Sequence, residues 1–269
     1  MSNPVISVIT VGMNHKKFIS NLYHSLYGEG CPAVDFEAVY VDNCSTDGSV
    51  EYLRRDYPQV RVLVNDRPRG FGENNNIGAM AANGDYLAII NPDIVLHEGA
   101  LDRAVDYLKH HEEAGIVVPK LLNPDGSQQF SVRRFITPPI LLNRVKNRGS
   151  DDSQSANTGL YLCKDLDYNN IQPVNWSLGA ALVIKRSWFA ELGGFDTDFF
   201  LYMEDEDLCL RSWQRHRPVI YHPGAVMTHN HLRASRKIGR KSWLHVKSMA
   251  TFFRKHGFHI PDFTVVTPP

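Results

Sequence analysis

The stretch FEAVYVDNCSTDGS, residues 36–49, decides how this chain folds. Its first part, FEAVYV (36–41), is apolar, β-branched and aromatic, and reads as a buried strand. The run stops at Asp42 and passes through Asn, Ser, Thr, Asp and Gly, residues that favour turns and helix caps. A helix follows over 47–56, with Asp47 or Ser45 available to cap it. A strand that ends on a polar turn and feeds directly into a helix is half of a βαβ unit.

The same pattern repeats across the first 120 residues. Strands are expected at 5–11, 60–64, 85–90 and 115–119, and helices at 16–27, 73–82 and 98–112. Together they predict an α/β fold with a Rossmann-like, mostly parallel sheet flanked by helices. Beyond residue 120 the pattern loosens, and 136–172, with TPP and NRGSDDSQSANTG, reads as a long loop. A strand-like run leading into a helix is expected over 174–189, short strands at 218–222 and 225–229, and a last helix over 239–256. The domain boundaries that follow are 1–231 for one domain, with halves 1–120 and 121–231, and 232–269 for a C-terminal helix and tail.

Composition narrows the class. The chain has 269 residues, with 29 Lys plus Arg against 29 Asp plus Glu, so no global basic field draws it to nucleic acid. Basic residues gather only in RASRKIGRK (233–241), a bias suited to phosphates or an anionic membrane surface. Cys31, Cys44, Cys163 and Cys209 form no Cys-x-x-Cys pair, which argues against a zinc ribbon or redox motif. A reduced, cytoplasmic setting fits the cysteines and the N-terminal residues, which lack the features of a signal peptide. No apolar run approaches the roughly 18 residues of a membrane span, so any membrane contact would be peripheral.

In open α/β sheets, ligands collect beyond the carboxyl ends of strands. Three places there hold candidate binding groups. Gly12-Met13-Asn14 follows the first strand. Asp42 ends the second, where a carboxylate can meet a base edge or ribose, although VDNCSTDGS is equally a turn and cap. Asn91-Pro92-Asp93 follows the fourth, where a hard oxygen ligand suits a magnesium or manganese ion bridging a diphosphate; a plain proline turn is the competing reading. RPRGFGENNNIG (67–78) has Gly-x-Gly, but Asn75 stands where the dinucleotide fingerprint needs glycine. Its asparagines could meet a sugar or base, while Arg69 and the helix N–H groups could meet phosphate.

Farther on, MEDED (203–207) sets four carboxylates in a row. Acids in a first turn sit well against the helix dipole. Consecutive helical residues point about 100° apart, so the four cannot share one pocket.

In order, VITVGMN (8–14), VDNCSTDGS (41–49), RGFGENNNIG (69–78), NPD (91–93), WSLGAALVIKR (176–186), GGFDTDFFLYMEDEDLCLR (193–211) and His229 resemble family 2 glycosyltransferases, and most of all their rhamnosyltransferase-type branch. The resemblance spans roughly residues 5–231. It implies a GT-A fold with a smaller, irregular acceptor-side region, and inverting transfer from a nucleotide-diphosphate sugar, such as a dTDP- or UDP-sugar, to a saccharide or lipid-linked acceptor. It also implies Mg2+ or Mn2+.

Carried over by position, Asn14, Asp42, Arg69, Gly70, Phe71, Asn75, Asn91 and Asp93 fall on the donor side. Asp93 is the surviving acid of an Asp-x-Asp element whose first position is Asn91. Trp176, Gly179 and Ala180 fall beside the acceptor. Glu204-Asp205 matches the family's Glu-Asp pair, with Asp205 as general base and Glu204 as its partner. His229, 24 residues beyond Asp205, matches a metal-binding histidine. Glu206 and Asp207 are left to cap the helix, pair with Arg211 or face solvent. Gly12-Met13 departs from the family's Thr-Tyr or Asn-Tyr pair, and Arg69 from a smaller residue.

Two rivals remain open at this level: a sugar nucleotidyltransferase, for which GMNHKK (12–17) is a poor triphosphate loop, and a non-catalytic nucleotide-sugar-binding protein. For the last helix, with Trp243, Val246, Phe252 and Phe253 among basic residues, membrane contact, packing on the domain and a homodimer are all open.

Overall fold

The computed structural model describes residues 4–146, 155–230 and 240–264, apart from the side chains of 145 and 240–242. The basic run 233–241 therefore lies outside the described residues except for the first backbone positions of the last helix.

The βαβ grammar of the first half forms as expected. Strands β1 (Ile6–Gly12), β2 (Phe36–Asp42), β3 (Arg61–Val64) and β4 (Tyr86–Ile90) alternate with helices α1 (Lys16–Leu26), α2 (Ser49–Asp56) and α3 (Phe71–Ala81). β1 lies between β2 and β4, parallel to both, and β3 runs parallel beyond β2. After a three-residue strand, β5 (Ile94–Leu96), come α4 (Ala100–His110) and β6 (Ile116–Leu122).

The second half enters the same sheet. β10 (Ala181–Lys185) runs antiparallel between β4 and β6, followed by α7 (Arg186–Glu191). β11 (Val219–His229) runs parallel to β6 and carries β8 (Gln172–Val174) and β5 as antiparallel partners. The two expected strands at 218–222 and 225–229 are thus one. Pro223-Gly224 shifts the register between His222 and Val226, but both flanks still pair with β6.

The segment read as a long loop at 136–172 contains two helices, α5 (Pro138–Lys146) and α6 (Ala156–Tyr161), on either side of residues outside the description. Ser155 caps α6 through its side chain, which accepts from the Thr158 N–H. Before and after them, β7 (Val132–Arg133) and β9 (Trp176–Ser177) form a separate two-stranded sheet.

Strict alternation along the strands divides the core. Ile9, Val39, Ile89 and Ile184 point to one face of the sheet, while Val8, Ala38, Ala88 and Val183 point to the other, and all are buried. The first face also receives α8 (Glu204–Gln214) and α9 (Arg240–His256). Phe252 and Phe253 of α9 are core residues, so this helix packs on the domain. His256 Nε2 lies 2.7 Å from Asp207 Oδ1 in α8, and Ser248 Oγ donates to the Leu201 carbonyl just before it. Trp243 and Val246 lie on the helix's exposed side.

Candidate active site

The loops after β1 and β2 are laced together. Asn14, in the left-handed region at φ 57°, accepts the Thr46 N–H on Oδ1 at 2.8 Å and donates its own N–H to Ser45 Oγ at 2.9 Å. Asp47 accepts from the N–H groups of Lys16 and Ser49, but the residue at the start of α2 is Gly48, so Asp47 acts one position outside the expected cap.

Asp42 is 1% exposed. Its Oδ2 accepts from Ser45 N–H, while Oδ1 is buried without a hydrogen-bond partner among the described residues. An unsatisfied buried oxygen at a strand's carboxyl end is a ready acceptor for a ligand hydroxyl or N–H. The departure at Gly12 has a packing reason: the Tyr40 hydroxyl occupies the space that any Cβ at position 12 would need.

At the end of β4, Asp93 meets His229. The antiparallel pairing of β5 with β11 sets His229 opposite Ile94, which brings the acid beside the imidazole. Asp93 Oδ1 lies 3.5 Å from His229 Nε2, and Asn230 N–H donates to the Asp93 carbonyl. The sequence places these residues more than a hundred positions apart; a strand of three residues joins them.

Helix α8 opens after two successive left-handed residues, Tyr202 (φ 71°) and Met203 (φ 73°). Such conformations are uncommon away from glycine and cluster at functional sites. Here they turn the chain abruptly into the acidic first turn, where the four carboxylates take different roles. Asp205 Oδ2 accepts the Gly179 N–H at 2.8 Å and Oδ1 accepts the Glu206 N–H at 2.9 Å. Glu204 is 4% exposed, with Oε2 unsatisfied among the described residues.

Burial pushes the Glu204 carboxyl well above the usual carboxylate range, and the Asp205 charge adds to it. Burial raises Asp205 as well, but the two N–H donors and the buried Arg133 guanidinium act the other way. Both carboxyls are raised by burial, and only Asp205 has backbone N–H donors on both oxygens and a guanidinium acting to favour its charged form.

Glu206 and Asp207 do not face solvent. Glu206 Oε1 accepts the Ile136 N–H at 2.7 Å, and Asp207 pairs with Arg211 at 2.7 Å as well as with His256. Arg211 in turn donates to the carbonyls of Leu192 and Gly194. Burial raises Glu206 well above the usual range. A carboxyl raised in the fold favours folding below its unfolded value, and that stability is lost as pH climbs through the folded value. Glu206→Gln keeps an acceptor for Ile136, so its melting temperature should match wild type near pH 4 and exceed it increasingly towards pH 8. Calorimetry across that range tests this; a constant difference would contradict it.

The two acidic centres are joined by one dipeptide. Gly179 N–H holds Asp205, and the next carbonyl, of Ala180, accepts the Asn91 N–H at 2.8 Å. A Cβ on Gly179 would sit 3.1 Å from the Asp205 Cβ, so the close approach favours glycine. On the donor side, Phe71 N–H donates to the Phe200 carbonyl, tying the start of α3 to the loop that leads into α8. Gly70 is buried at that junction.

Other expected site residues have structural partners of their own. Arg69 donates to Glu73 at 2.6 Å and Asp66 at 3.0 Å, and its Nε is buried without a hydrogen-bond partner among the described residues. Asn75 is buried with its amide on the Phe71 carbonyl, Asn74 bonds the Gly70 carbonyl, and Asn76 bonds Phe195. These asparagines brace the helix start. Trp176 is a core side chain whose indole N–H donates to the Arg134 carbonyl.

Sequence reasoning missed Arg133 and Gln129. Arg133 is 6% exposed and acts electrostatically on Asp205, while Gln129 Oε1 lies 2.7 Å from His229 Nδ1. Neither carries a spacing or compositional signal. Asn43 was passed over too: it accepts the Arg69 N–H and returns a bond to the Arg69 carbonyl, fixing the donor-side loop.

A mostly parallel α/β sheet with acids gathered beyond its strand ends and a second acidic centre at a buried helix start has the form of a GT-A glycosyltransferase. Residues 7–162 match the family described as glycosyl transferase family 2, and the chain belongs to that family, on its rhamnosyltransferase-like branch. It is 30% identical over 241 residues to an N-acetylglucosaminyl-diphospho-decaprenol L-rhamnosyltransferase of Mycobacterium tuberculosis, covering 84% of this chain and 75% of that one. It is 31% identical over 224 residues to rhamnosyltransferase WbbL of Escherichia coli, covering 77% and 76%.

Among solved structures, a mannosyltransferase of Pyrobaculum calidifontis in complex with GDP-Man and Mn2+ superposes with a TM-score of 0.64 at 18% identity, over 97% of this chain and 66% of that one. GalNAc-T7 with UDP, GalNAc and Mn2+ gives 0.62 at 18%, over 86% of this chain but only 44% of that one. At such identity these likenesses establish the fold. The function is sugar transfer in glycan synthesis.

Proposed function

We propose that the protein transfers a sugar, with inversion, from a nucleotide-diphosphate sugar to a hydroxyl of a saccharide or lipid-linked glycan acceptor. The observation that carries this is the Gly179-Ala180 link, which sets the base candidate Asp205 and the Asn91–Asp93 turn on either side of one dipeptide. Asp205 takes the proton of the acceptor hydroxyl as its oxygen attacks the anomeric carbon. The bond to the diphosphate breaks on the opposite face, and the leaving group departs with the electron pair. Glu204, whose Oε2 has no partner among the described residues, orients the acceptor hydroxyl by a hydrogen bond.

Asp93 and His229 supply one hard oxygen and one imidazole nitrogen, a donor set that fits Mg2+ or Mn2+. Among the described residues no cluster of three or more His, Cys, Asp or Glu side chains could hold a metal alone. Diphosphate oxygens would have to complete the coordination. A cation bound there would neutralise charge on the leaving diphosphate. The relatives' names favour a rhamnose donor and a lipid diphosphate acceptor.

Thermal stabilisation by dTDP- and UDP-sugars, with and without Mn2+, tests the donor reading. One nucleotide sugar should stabilise the protein more when Mn2+ is present, and no stabilisation by any would overturn it.

No described helix is long and apolar enough to cross a membrane. For a lipid-linked acceptor, the outer face of α9, with Trp243 66% and Val246 64% exposed and Lys247 beside them, fits an anionic lipid surface. Trp243→Ala combined with Lys247→Glu should lower co-sedimentation with vesicles containing anionic lipid. Unchanged sedimentation would assign this face to something else.

A further inference from the structure

The proposed cation pair is backed by a turn outside the sequence motifs that carry the family resemblance. Asn123 to Gln129, NPDGSQQ, follows β6, and its polar side chains form a single chain of hydrogen bonds ending on His229. Asp125 Oδ1 accepts from the Ser127 hydroxyl at 2.6 Å. With its proton committed there, Ser127 Oγ accepts from Asn123 Nδ2 at 2.9 Å. Asn123 Oδ1 then accepts from Gln129 Nε2 at 3.0 Å. The Gln129 carboxamide is thereby oriented, and its Oε1 faces His229 Nδ1 at 2.7 Å.

An ionised carboxylate can only accept, so the direction of every bond in this chain follows from Asp125. Its carboxyl is held below the usual range by the Ser127 hydroxyl and N–H. At the far end Gln129 can only accept from the imidazole, which places the proton on Nδ1. In the neutral imidazole Nε2 then carries the lone pair, 3.5 Å from Asp93 Oδ1. His229 is 2% exposed, so the imidazole has little freedom to turn away.

We infer that the Asn123–Gln129 turn is the positioning element of the cation site. Its directed hydrogen bonds, passed through Gln129, hold His229 as the Nδ1–H tautomer, with Nε2 and Asp93 presented together to a divalent metal. Gln129 touches neither sugar nor metal; it acts through His229. A metal-ligating histidine commonly gives its second nitrogen to such a partner, and losing that partner typically lowers metal affinity by about 10–100-fold. The inference rests on the cation reading above, and the experiment separates the two.

Mn2+ binding is measured by electron paramagnetic resonance on the full chain, with UDP or dTDP present, for wild type, Gln129→Leu, Gln129→Glu and His229→Ala. Gln129→Leu should weaken Mn2+ by about 10–100-fold, while Gln129→Glu, which keeps the acceptor, should restore most of the affinity. If wild type binds no Mn2+ with either nucleotide, the cation reading itself fails. If wild type binds and Gln129→Leu matches it, only the positioning role is overturned. Should Gln129→Leu not fold, Ser127→Ala interrupts the chain at an exposed position and should weaken Mn2+ in the same direction. Nitrogen-15 spectra of metal-free wild type at alkaline pH give a second readout: a protonated Nδ1 is expected, and a protonated Nε2 would contradict the inference.

Discussion

Asp205→Asn should leave a folded protein that binds nucleotide sugar as wild type does and turns over about 10²–10⁴-fold more slowly, the range a positioned general base supplies. Asp205 offers two oxygens to two backbone donors, Gly179 N–H and Glu206 N–H. Asparagine has one oxygen, so one donor loses its acceptor, at a cost of about 1–3 kcal/mol. That cost appears in the melting temperature and is separable from turnover. Near-normal transfer by the folded variant would remove Asp205 from its role. The pH profile carries the same claim. The base must be ionised and burial raises its pKa, so turnover should fall with decreasing pH, beginning above the ordinary aspartate range. A profile flat down to that range would mean that another group takes the proton.

Asp93→Ala should be nearly as damaging and should differ in kind. The structural bonds at this position go to the Asp93 backbone carbonyl, which accepts from Asn230, so the side chain can be removed without unpairing that link. The side chain is 18% exposed and faces His229. Loss of a metal that neutralises a leaving diphosphate removes several kcal/mol of transition-state stabilisation, about 10²–10³-fold or more in rate. The accompanying sign is that added Mn2+ no longer strengthens donor-dependent thermal stabilisation. If Asp93→Ala retains both turnover and the Mn2+ response, the diphosphate end of the site lies elsewhere.

What could be read in the sequence was local. The turn after Asp42 is written in consecutive residues, and its strand and helix form where their periodicity places them. The helix start at MEDED is local too. Its burial is not, because the partners of Glu206 and Asp207 come from Ile136 and His256, 70 and 49 residues away. A run of charges suggests an exposed face until such partners are known.

The Asp93–His229 pairing was suggested by family resemblance, but its physical cause, β5, has only three residues and falls below any periodic signal. Helices α5 and α6 were hidden by a polar, broken composition. The ion pairs of Arg69 with Asp66 and Glu73 are not marked in the sequence, where both acids are ordinary surface residues until the fold brings all three together. The Asn123–Gln129 turn reads as a loop, and only the direction of its hydrogen bonds distinguishes it.

The most direct measurement incubates the purified chain with the stabilising nucleotide sugar and a lipid-diphosphate saccharide acceptor, then analyses both products. The expected result is release of nucleoside diphosphate that depends on the acceptor, a new glycosidic bond whose anomeric configuration is opposite to that of the donor, and loss of both in Asp205→Asn. Retention of configuration, or acceptor-independent exchange of pyrophosphate with the donor as in a nucleotidyltransferase, would contradict it.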